Sequence, residues 1–422
     1  MSAVTEWHET RLKNLFTSVR NGIWGDDPDD ETDVFCARGT DFDRVKNRIS
    51  DSKMPRRSVA PSGLRDHELV RGDLVLEKSG GSADQPVGSV ALFDLQTRAV
   101  CSNFNARMQV SSSVDSRFVC YLMNGLYWSG FTRQFVKQTT GIQNLDAEAF
   151  LSQHCKIPPI DEQRRIAEFL DGETAQIDQI LHFRRSQMAL LDGRESSLLD
   201  EAYTAKGSEE IRLKHLSSRI TSGPRGWGDL ISDEGTPFLR IMNIPRRGVR
   251  LELSDLARVA APCGAERERT RTRAGDVLVS ITADIGSVGV IDNCTADGNV
   301  SQHIALVRPI KSLCDSDWLA YAIKSPAAKR QLASNSYGGA KAGLGLGEIG
   351  DLRLPALTLA TQQRVALRIN EMTRDSEFVR EAVMRQIALL TERRHALIVA
   401  AVMGQIDVTA GQGLSLSGGA AV

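Results

Sequence analysis

Residues 161–202, DEQRRIAEFLDGETAQIDQILHFRRSQMALLDGRESSLLDEA, return in related form at residues 360–401 as ATQQRVALRINEMTRDSEFVREAVMRQIALLTERRHALIVAA. The two stretches align without a gap, and identical residues such as Gln163 and Gln362 fall at the same places. Self-similarity over this length is typical of a repeated architecture. We therefore predict an internal duplication in which each copy ends in a long helical stretch.

Both stretches carry apolar residues at roughly heptad spacing and contain no proline, which indicates long amphipathic helices. About 42 residues at 1.5 Å each give a rod of roughly 63 Å, and one small domain does not cover the apolar stripe of such a rod. We expect the two rods to pack on each other as a coiled coil. The candidate residues for a subunit interface on these helices are Gln163, Arg165, Leu170, Ile177, Leu191, Leu198, Gln362, Arg364, Ile369, Val383, Leu390 and Leu397.

The segments that precede the helices also correspond, although their loops differ in length. Strand-like runs follow a Gly-Asp turn in each copy, at residues 72–80 and 275–283, and Trp24-Gly25 aligns with Trp227-Gly228. The predicted fold class is α+β (mixed), with α/β as the alternative. The predicted parts are a first domain at 1–157, a helix at 158–206, a second domain at 207–354, a helix at 355–407 and a flexible tail at 408–422.

Composition limits the possible functions. The chain has 422 residues, 41% of them hydrophobic, and a formal net charge of -1, so any contact with nucleic acid must come from local patches rather than bulk charge. The seven cysteines include no C-x-x-C pair, which disfavours a zinc cluster and a disulfide framework. No secretory leader or run of about 18 apolar residues occurs, and we expect a cytoplasmic protein.

Motifs for catalysis are missing from the sequence. No G-x-x-x-x-G-K-[ST] is present, the only Pro-Pro (158–159) lacks the tetrad with which amino-methyltransferases hold an extruded base, and the histidines show no ligand spacing. The G-x-G-x-x-G at 345–350 follows no hydrophobic strand and is predicted to be a loop. The acidic run at 26–33 is interpreted as a solvated loop rather than a metal-dependent nuclease site. We expect neither a catalytic residue nor a metal in this chain.

A basic patch remains as the most informative local feature. Residues 210–275 contain thirteen Lys or Arg against eight Asp or Glu, and guanidinium groups, amides and aromatic rings are the groups that bind phosphates and read base edges. The alternative, that the charges are ordinary surface groups and the tryptophans belong to the core, stays open for each residue. The candidate DNA-binding residues are Trp24, Arg38, Arg44, Lys46, Arg56, Arg57, Lys78, Arg225, Trp227, Arg240, Asn243, Arg246, Arg247 and Lys341.

The sequence resembles the specificity subunits of type I restriction-modification systems. The resemblance rests on IPPIDEQRRIAEFLDGETAQIDQI (157–180), on its copy LPALTLATQQRVALRINEM (354–372), and on the paired Gly-Asp strands, and it covers nearly the whole chain. The second copy departs from the pattern, with Ala360-Thr361-Gln362-Gln363-Arg364 where the first has Asp161-Glu162-Gln163-Arg164-Arg165.

This resemblance implies two target-recognition domains separated by two antiparallel spacer helices in a pseudo-twofold arrangement without an active site. Such a subunit binds double-stranded DNA, two modification (adenine methyltransferase) subunits docked on the helices and, in the full complex, two restriction subunits. S-adenosylmethionine, ATP and Mg are then expected on the partner subunits only. Two different domains on a rod of fixed length predict an asymmetric bipartite target whose unread spacer reflects the rod length.

Two other classes of function remain. A coiled-coil scaffold whose flanking domains bind protein is compatible with the near-zero net charge. A self-sufficient methyltransferase or nuclease ranks last, because the motif searches give it no support.

Overall fold

The computed structural model describes residues 7–139, 141–203, 209–282, 284–335 and 343–408. The packing of the chain divides it into two units, residues 1–183 with 386–422 and residues 184–385. Each long helix is thus shared between the units instead of forming a separate body. Among the described residues, no helix combines the length and the apolar character that a membrane span requires.

The first unit contains fourteen strands and, before its long helix, three α-helices within the described part of the chain. The strands are β1 His8–Arg11, β2 Phe16–Asn21, β3 Asp33–Ala37, β4 Phe42–Asp43, β5 Arg48–Ile49, β6 Arg56–Ser58, β7 Leu74–Glu77, β8 Ser79–Gly80, β9 Val90–Leu92, β10 Ala99–Cys101, β11 Asn105–Val110, β12 Val136–Thr139, β13 Ile142–Leu145 and β14 His154–Ile157. The helices are α1 Pro61–His67, α2 Ser116–Trp128 and α3 Ala147–Leu151, and they precede the first long helix, α4 Ile160–Tyr203.

The main sheet of the first unit has the strand order β2-β11-β7-β9-β5-β4. A second sheet, β10-β3-β6, contains the parallel pair β10/β3, and β1 pairs with β14 beside the start of α4. Helix α2 packs on the main sheet with Phe118 and Leu122 fully buried, and the start of α4 shares this core through Leu170 and Ile177. The sheet edge and the long helix therefore belong to one hydrophobic core.

The second unit repeats this plan. Its strands are β15 Glu210–Arg212, β16 Ser217–Ser222, β17 Ile231–Ser232, β18 Thr236–Leu239, β19 Ala257–Val259, β20 Val277–Ser280, β21 Val288–Val290, β22 Asn299–Val300, β23 Ile304–Pro309 and β24 Arg353–Pro355. Its helices are α5 Leu213–Leu216, α6 Ala265–Thr270, α7 Ser316–Lys324, α8 Pro326–Asn335 and α9 Leu346–Gly350, and the second long helix is α10 Leu359–Val402.

The sheets confirm the predicted duplication and the mixed α+β class. The order β16-β23-β20-β21 repeats β2-β11-β7-β9, the parallel pair β18/β22 repeats β3/β10, and β15 pairs with β24 as β1 does with β14. One prediction at the level of a single element needs correction. The G-x-G-x-x-G segment contains helix α9 instead of being all loop.

The long helices pack against each other inside each unit. In the first unit, the beginning of α4 lies with the end of α10, where the Arg394 Nε donates to Asp178 Oδ1 at 3.1 Å. In the second unit, the second half of α4 lies with the first half of α10, where Arg380 Nη1 and Asp192 Oδ1 are 2.6 Å apart. The second half of one helix thus meets the first half of the other in both units, which is the predicted antiparallel pairing.

A buried glutamine fastens each domain to its long helix. Gln163 Oε1 accepts the backbone N–H of Asp115 at 2.9 Å, and its Nε2 donates to the carbonyl of Pro158 at 2.8 Å. Gln362 does the same with the N–H of Asp315 at 2.8 Å and the carbonyl of Leu357 at 2.9 Å. Asp115 and Asp315 are in turn the N-caps of α2 and α7. Each glutamine thus joins the N-cap of a domain helix to the segment just before its long helix, and the same set of contacts occurs twice in the chain.

We expect Gln163→Ala to lower the free energy of unfolding by about 2 kcal/mol, because it leaves the part-buried N–H of Asp115 and the buried carbonyl of Pro158 without this partner. Urea denaturation measures this loss. Gln176→Ala, at an exposed position of the same helix, is the matched control and is expected to change the free energy by less than about 0.5 kcal/mol. Equal values for the two variants would contradict the anchoring role.

Candidate nucleic-acid interface

Three of the predicted DNA-binding residues of the first unit meet at one open groove of about 790 Å³. Trp24, Arg38 and Arg44 line it, and the groove adds two aromatic rings that sequence reasoning missed, Phe42 and Phe104. Its remaining lining comes from Gly39, Thr40, Glu77, Ser79, Gly80, Gly81, Ser82, Gln85 and Ser102. We refer to this surface as the first-unit groove. Phe42 is buried, whereas Trp24 and Phe104 are exposed, and guanidinium groups beside exposed aromatic rings suit contacts with phosphates and bases.

Carboxylates hold the two arginines of the groove in fixed positions. The Asp41 carboxylate accepts the backbone N–H of Arg38 at 2.9 Å and its guanidinium at 2.9 and 3.0 Å, and these hydrogen bonds raise the pKa of Arg38 above its ordinary value. Arg44 donates to the buried Glu77 at 2.8 Å. Gly39 permits this packing, because a Cβ there would lie 2.6 Å from Glu77 Oε1. The guanidinium groups are thereby preorganised, which limits the entropy lost on binding.

Trp24 lies at the rim of the first-unit groove with 38% of its surface exposed. The Arg57 guanidinium carbon is 4.8 Å from the centre of a Trp24 ring, a distance that suits a cation–π contact, and Arg57 also pairs with Asp27 at 2.7 Å. Trp24 is therefore a surface residue. The alternative interpretation, that it belongs to the core, is wrong.

The acidic run at 26–33 is exposed from residue 26 to residue 31, as the prediction of a solvated loop requires, and it also pairs with basic side chains. Besides the pair of Asp27 with Arg57, Asp33 lies 3.4 Å from Arg56. The hydroxyl of Ser58 donates to Asp29 and, with the N–H groups of Thr32 and Glu31, keeps the pKa of Asp29 below its usual value. Within the part of the chain that the structure describes, no group of three or more His, Cys, Asp or Glu is arranged to hold a metal ion.

The other candidates of the first unit lie outside the groove lining. Lys46 is exposed, Arg56 and Arg57 face the acidic run, and Lys78 Nζ donates to Asn21 Oδ1 at 2.6 Å. Burial lowers the pKa of Lys78. These side chains add positive charge near the groove without lining it.

Two predicted DNA-binding residues of the second unit have structural roles instead, and their assignment to a DNA surface is wrong. Trp227 is 6% exposed and packs with Phe238 and Val259 in a small core. Asn243 is 1% exposed: its Oδ1 accepts the backbone N–H of Arg240 at 3.0 Å, and its Nδ2 donates to the carbonyl of Glu252 at 2.9 Å. Neither side chain can touch DNA in this conformation.

The remaining basic candidates of the second unit lie at the surface. Arg225 and Arg246 are exposed, Arg240 Nη2 lies 3.2 Å from Asp255 Oδ1, and Arg247 pairs with Asp192 at 2.9 Å. Arg246 and Arg247 line a cavity of about 660 Å³ together with Pro245, Gly248, Val249, Arg250, Glu252, Tyr321, Leu367, Asn370, Glu371, Thr373, Arg374 and Glu377. Lys341 lies outside the described residues.

The buried Lys324 supports the loop that carries Arg246 and Arg247. Its Nζ donates to the carbonyl of Gly248 at 2.9 Å, and the residue is 7% exposed. Burial lowers the pKa of Lys324 to about 8, with Glu195 and Glu377 acting in the opposite sense and Lys329 and Arg247 in the same sense. The loop is thus held by an amine that is only partly charged at mildly alkaline pH.

This depressed pKa predicts a pH-dependent stability. Between pH 8 and 10.5 the unfolded chain holds the Lys324 proton more tightly than the folded chain, so the contribution of Lys324 to stability becomes more favourable as pH rises. The Lys324→Met variant lacks this gain. We therefore expect its free energy of unfolding, relative to that of wild type, to fall by about 2 kcal/mol from pH 8 to pH 10.5. Denaturation at several pH values measures it, and Lys311→Met, at an exposed position, is the control. A pH-independent difference would refute the prediction.

Most of the predicted interface residues of the long helices are buried inside the chain. Arg165 and Arg364 are exposed, and Leu191, Leu198 and Leu390 are half-buried. The buried members, which no partner subunit can reach, are Gln163, Leu170, Ile177, Gln362, Ile369, Val383 and Leu397. Their assignment to a surface for partner subunits is therefore wrong, since they form the interface between the helices and with the domains.

Large apolar side chains that sequence reasoning missed are exposed on the same helices. Leu190 is 75% exposed on α4, and Phe378, Leu367 and Met384 are 76%, 61% and 60% exposed on α10. They lie outside the heptad pattern. An apolar residue at such a position of an amphipathic helix is the sequence signal by which they could have been identified. Exposed apolar groups of this size are typical of surfaces that bind another protein.

Comparisons with known proteins agree on the architecture. No protein-family model matches the chain. It is 22% identical over 292 residues to the type I restriction enzyme EcoBI specificity subunit of Escherichia coli, covering 63% of this chain and 61% of that protein. It is 18% identical over 230 residues to a protein of Methanocaldococcus jannaschii provisionally named as a type I restriction enzyme MjaX specificity subunit, covering 53% of this chain and 51% of that protein.

Among solved structures, the chain aligns with one from work on complex assembly and conformational transition of the type I R-M system. The TM-score is 0.72 at 16% identity, and the alignment covers 96% of this chain and 99% of that one. This likeness establishes the fold over both units. The sequence matches to the two relatives span only about half to three fifths of their lengths, 51% and 61%.

Proposed function

We propose that this chain is the specificity subunit of a type I restriction-modification system and reads an asymmetric, two-part DNA target with one half-site for each unit. The observation that carries the proposal is the repeated domain: each unit has the same four-strand order in its main sheet, β2-β11-β7-β9 or β16-β23-β20-β21, and the same glutamine anchor to a long helix. Arginine side chains lie at the surface of both copies, with aromatic rings beside them in the first. A protein with two such surfaces suits a target composed of two different short sequences.

The proposed division of labour leaves the chemistry to other subunits. The long helices present exposed apolar side chains, Leu190 and Phe378 among them, on which modification subunits dock, two for each chain, with two restriction subunits in the full complex. S-adenosylmethionine, ATP and Mg belong to these partners in this proposal. The chain itself contributes recognition and positioning of an adenine in each half-site, and no catalysis.

The experiment is to express the chain with a type I modification subunit in a bacterial host free of adenine methylation and to map methylated adenines across the genome. We expect a two-part motif with a fixed gap that disappears when the chain is omitted. A soluble complex without any motif would contradict the proposed role.

The scaffold alternative makes a different prediction about salt. DNA binding through several phosphate contacts should weaken about a thousandfold from low to moderate salt, whereas an apolar protein interface should change little. Titration of the purified complex with labelled genomic DNA fragments at two salt concentrations separates the two functions. Salt-independent binding, or none, would favour the scaffold.

A further inference from the structure

The structure shows which residue of the second unit is equivalent to Trp24, and it is not Trp227. Gly22 and Gly223 directly follow β2 and β16. A Cβ would lie 2.2 Å from the carbonyl oxygen of Cys101 in the first unit and 1.9 Å from that of Val300 in the second, so that neither position has room for one. Three residues later, Gly25 and Gly226 both have a positive φ, 72° and 80°. Counting from these paired glycines, Trp24 corresponds to Arg225.

A second pair of equivalent positions differs in the same way. The carbonyl of Phe104 accepts the N–H of Lys78 at 2.9 Å, and the carbonyl of His303 accepts the N–H of Ile281 at 3.1 Å. Both contacts join the residue just before β11 or β23 to the residue just after β7 or β20. Phe104 is 51% exposed and lines the first-unit groove. His303 is exposed, and its Nδ1 lies 3.2 Å from Thr282 Oγ1.

Two arginines, by contrast, are the same in both units. Arg38 and Arg240 each begin a short helical turn in which the residue three positions later, Asp41 or Asn243, accepts the arginine N–H. Arg44 and Arg246 follow at the same spacing after these turns. The arginines are therefore a common element of both surfaces, while positions 24/225 and 104/303 differ.

From this pattern we infer that Trp24 and Phe104 determine the sequence preference of the first unit, and Arg225 and His303 that of the second. The shared Arg38/Arg240 and Arg44/Arg246 bind the DNA backbone. The inference rests on the proposed function and names its specificity-determining residues. A contact that serves any sequence can be identical in both copies, whereas two different half-sites require different groups at the positions that touch bases.

The chemistry of these groups predicts the kind of base each one reads. A guanidinium matches the O6 and N7 acceptors of guanine, and an aromatic or aliphatic side chain contacts the methyl group of thymine. Arg225 therefore reads a guanine in the second half-site. Trp24 and Phe104 form an apolar contact with a thymine in the first.

The test is an exchange between the two positions in the full complex. In Trp24→Arg with Phe104→His, mapped methylation should show one half-site altered, with the preference at one base pair shifted about ten- to hundredfold towards guanine. The other half-site and the gap should stay as in wild type. The reciprocal Arg225→Trp with His303→Phe should alter only the other half.

Two further variants separate the assigned roles. Val70→Arg with Ile142→His changes exposed positions, 56% and 50% accessible, that lie outside the lining of the first-unit groove, and it should leave the target unchanged. Arg246→Ala should keep the motif but weaken DNA binding and lower the slope of log affinity against log salt by about 1.

The outcomes are distinguishable from failure of the proposed function. If wild type gives no motif, the proposed function is contradicted, and the inference that rests on it is contradicted as well. If wild type gives a motif and the exchange leaves it unchanged, or changes both halves, the assignment of specificity to these positions is wrong. Where an exchanged complex no longer methylates, selection of bound DNA from a library randomised in each half-site provides the readout: altered or lost preference in one half supports the inference, and wild-type preference overturns it.

Discussion

Replacement of Asp276 by alanine is expected to lower the free energy of unfolding by about 3–5 kcal/mol, because it leaves a buried guanidinium without its counter-charge. The Asp276 side chain is 2% exposed and that of Arg308 is 14% exposed. Two hydrogen bonds of 2.8 and 2.7 Å join them, and Asp276 also accepts the N–H of Arg273 at 2.8 Å. Chemical denaturation measures the loss.

The first unit contains the same pair, which gives an internal check. Arg107 Nε and Asp73 Oδ2 are 2.6 Å apart, with side chains 10% and 5% exposed, so Asp73→Ala should destabilise by a similar amount. Glu210→Ala is the control, because the Glu210–Arg353 pair is 51% and 60% exposed and such pairs contribute less than about 1 kcal/mol. A loss as small as that of the control would show that the buried pair does not stabilise the fold.

The second large effect is expected at Arg394, where alanine should cost about 2–4 kcal/mol. The Arg394 side chain is 3% exposed and pairs with the Asp178 side chain, which is 20% exposed. Because water reaches Asp178, the expected loss of free energy of unfolding is smaller than for a fully buried pair. Arg394 also donates to the carbonyl of Val45, and its guanidinium carbon lies 5.8 Å from the centre of the Trp128 ring. It thereby ties α10 to the loop between Arg44 and Lys46.

Arg393→Ala provides the control for this variant, because Arg393 is the next residue on the same helix and is exposed. We expect a change of less than about 0.5 kcal/mol for Arg393→Ala. Thermal unfolding followed by circular dichroism compares the two. Similar melting temperatures would show that the contact between α10 and the loop adds nothing to stability.

Much of this architecture was predictable because it is encoded by period and repetition. The heptad pattern predicts both long helices, and the Gly-Asp turns mark β7 and β20 in equivalent places. Trp24, Arg38 and Arg44 could be selected by residue type alone, since exposed aromatic and guanidinium groups suit DNA contacts.

The errors arose where burial depends on contacts distant in sequence. Asn243 and Gln163 are amides that could read bases or bind a partner, but both satisfy backbone groups inside the protein. The dipeptide Trp-Gly occurs in both copies and suggested a wrong equivalence; the true one depends on the space beside Gly22 and Gly223. Phe104 belongs to no periodic pattern, and only the fold brings it beside Trp24.

The uneven division of the chain has a consequence for its synthesis. The second unit is one uninterrupted stretch, 184–385, whereas the first combines 1–183 with residues from 386 onwards. A ribosome adding about 5–20 residues per second needs roughly 10–40 s to cross the inserted stretch. During that time Leu170 and Ile177 lack the segment of α10 that covers them. The nascent first unit therefore exposes an apolar stripe that can aggregate, and it is the part of the new chain that a chaperone is expected to bind until residues 397–402 have been made.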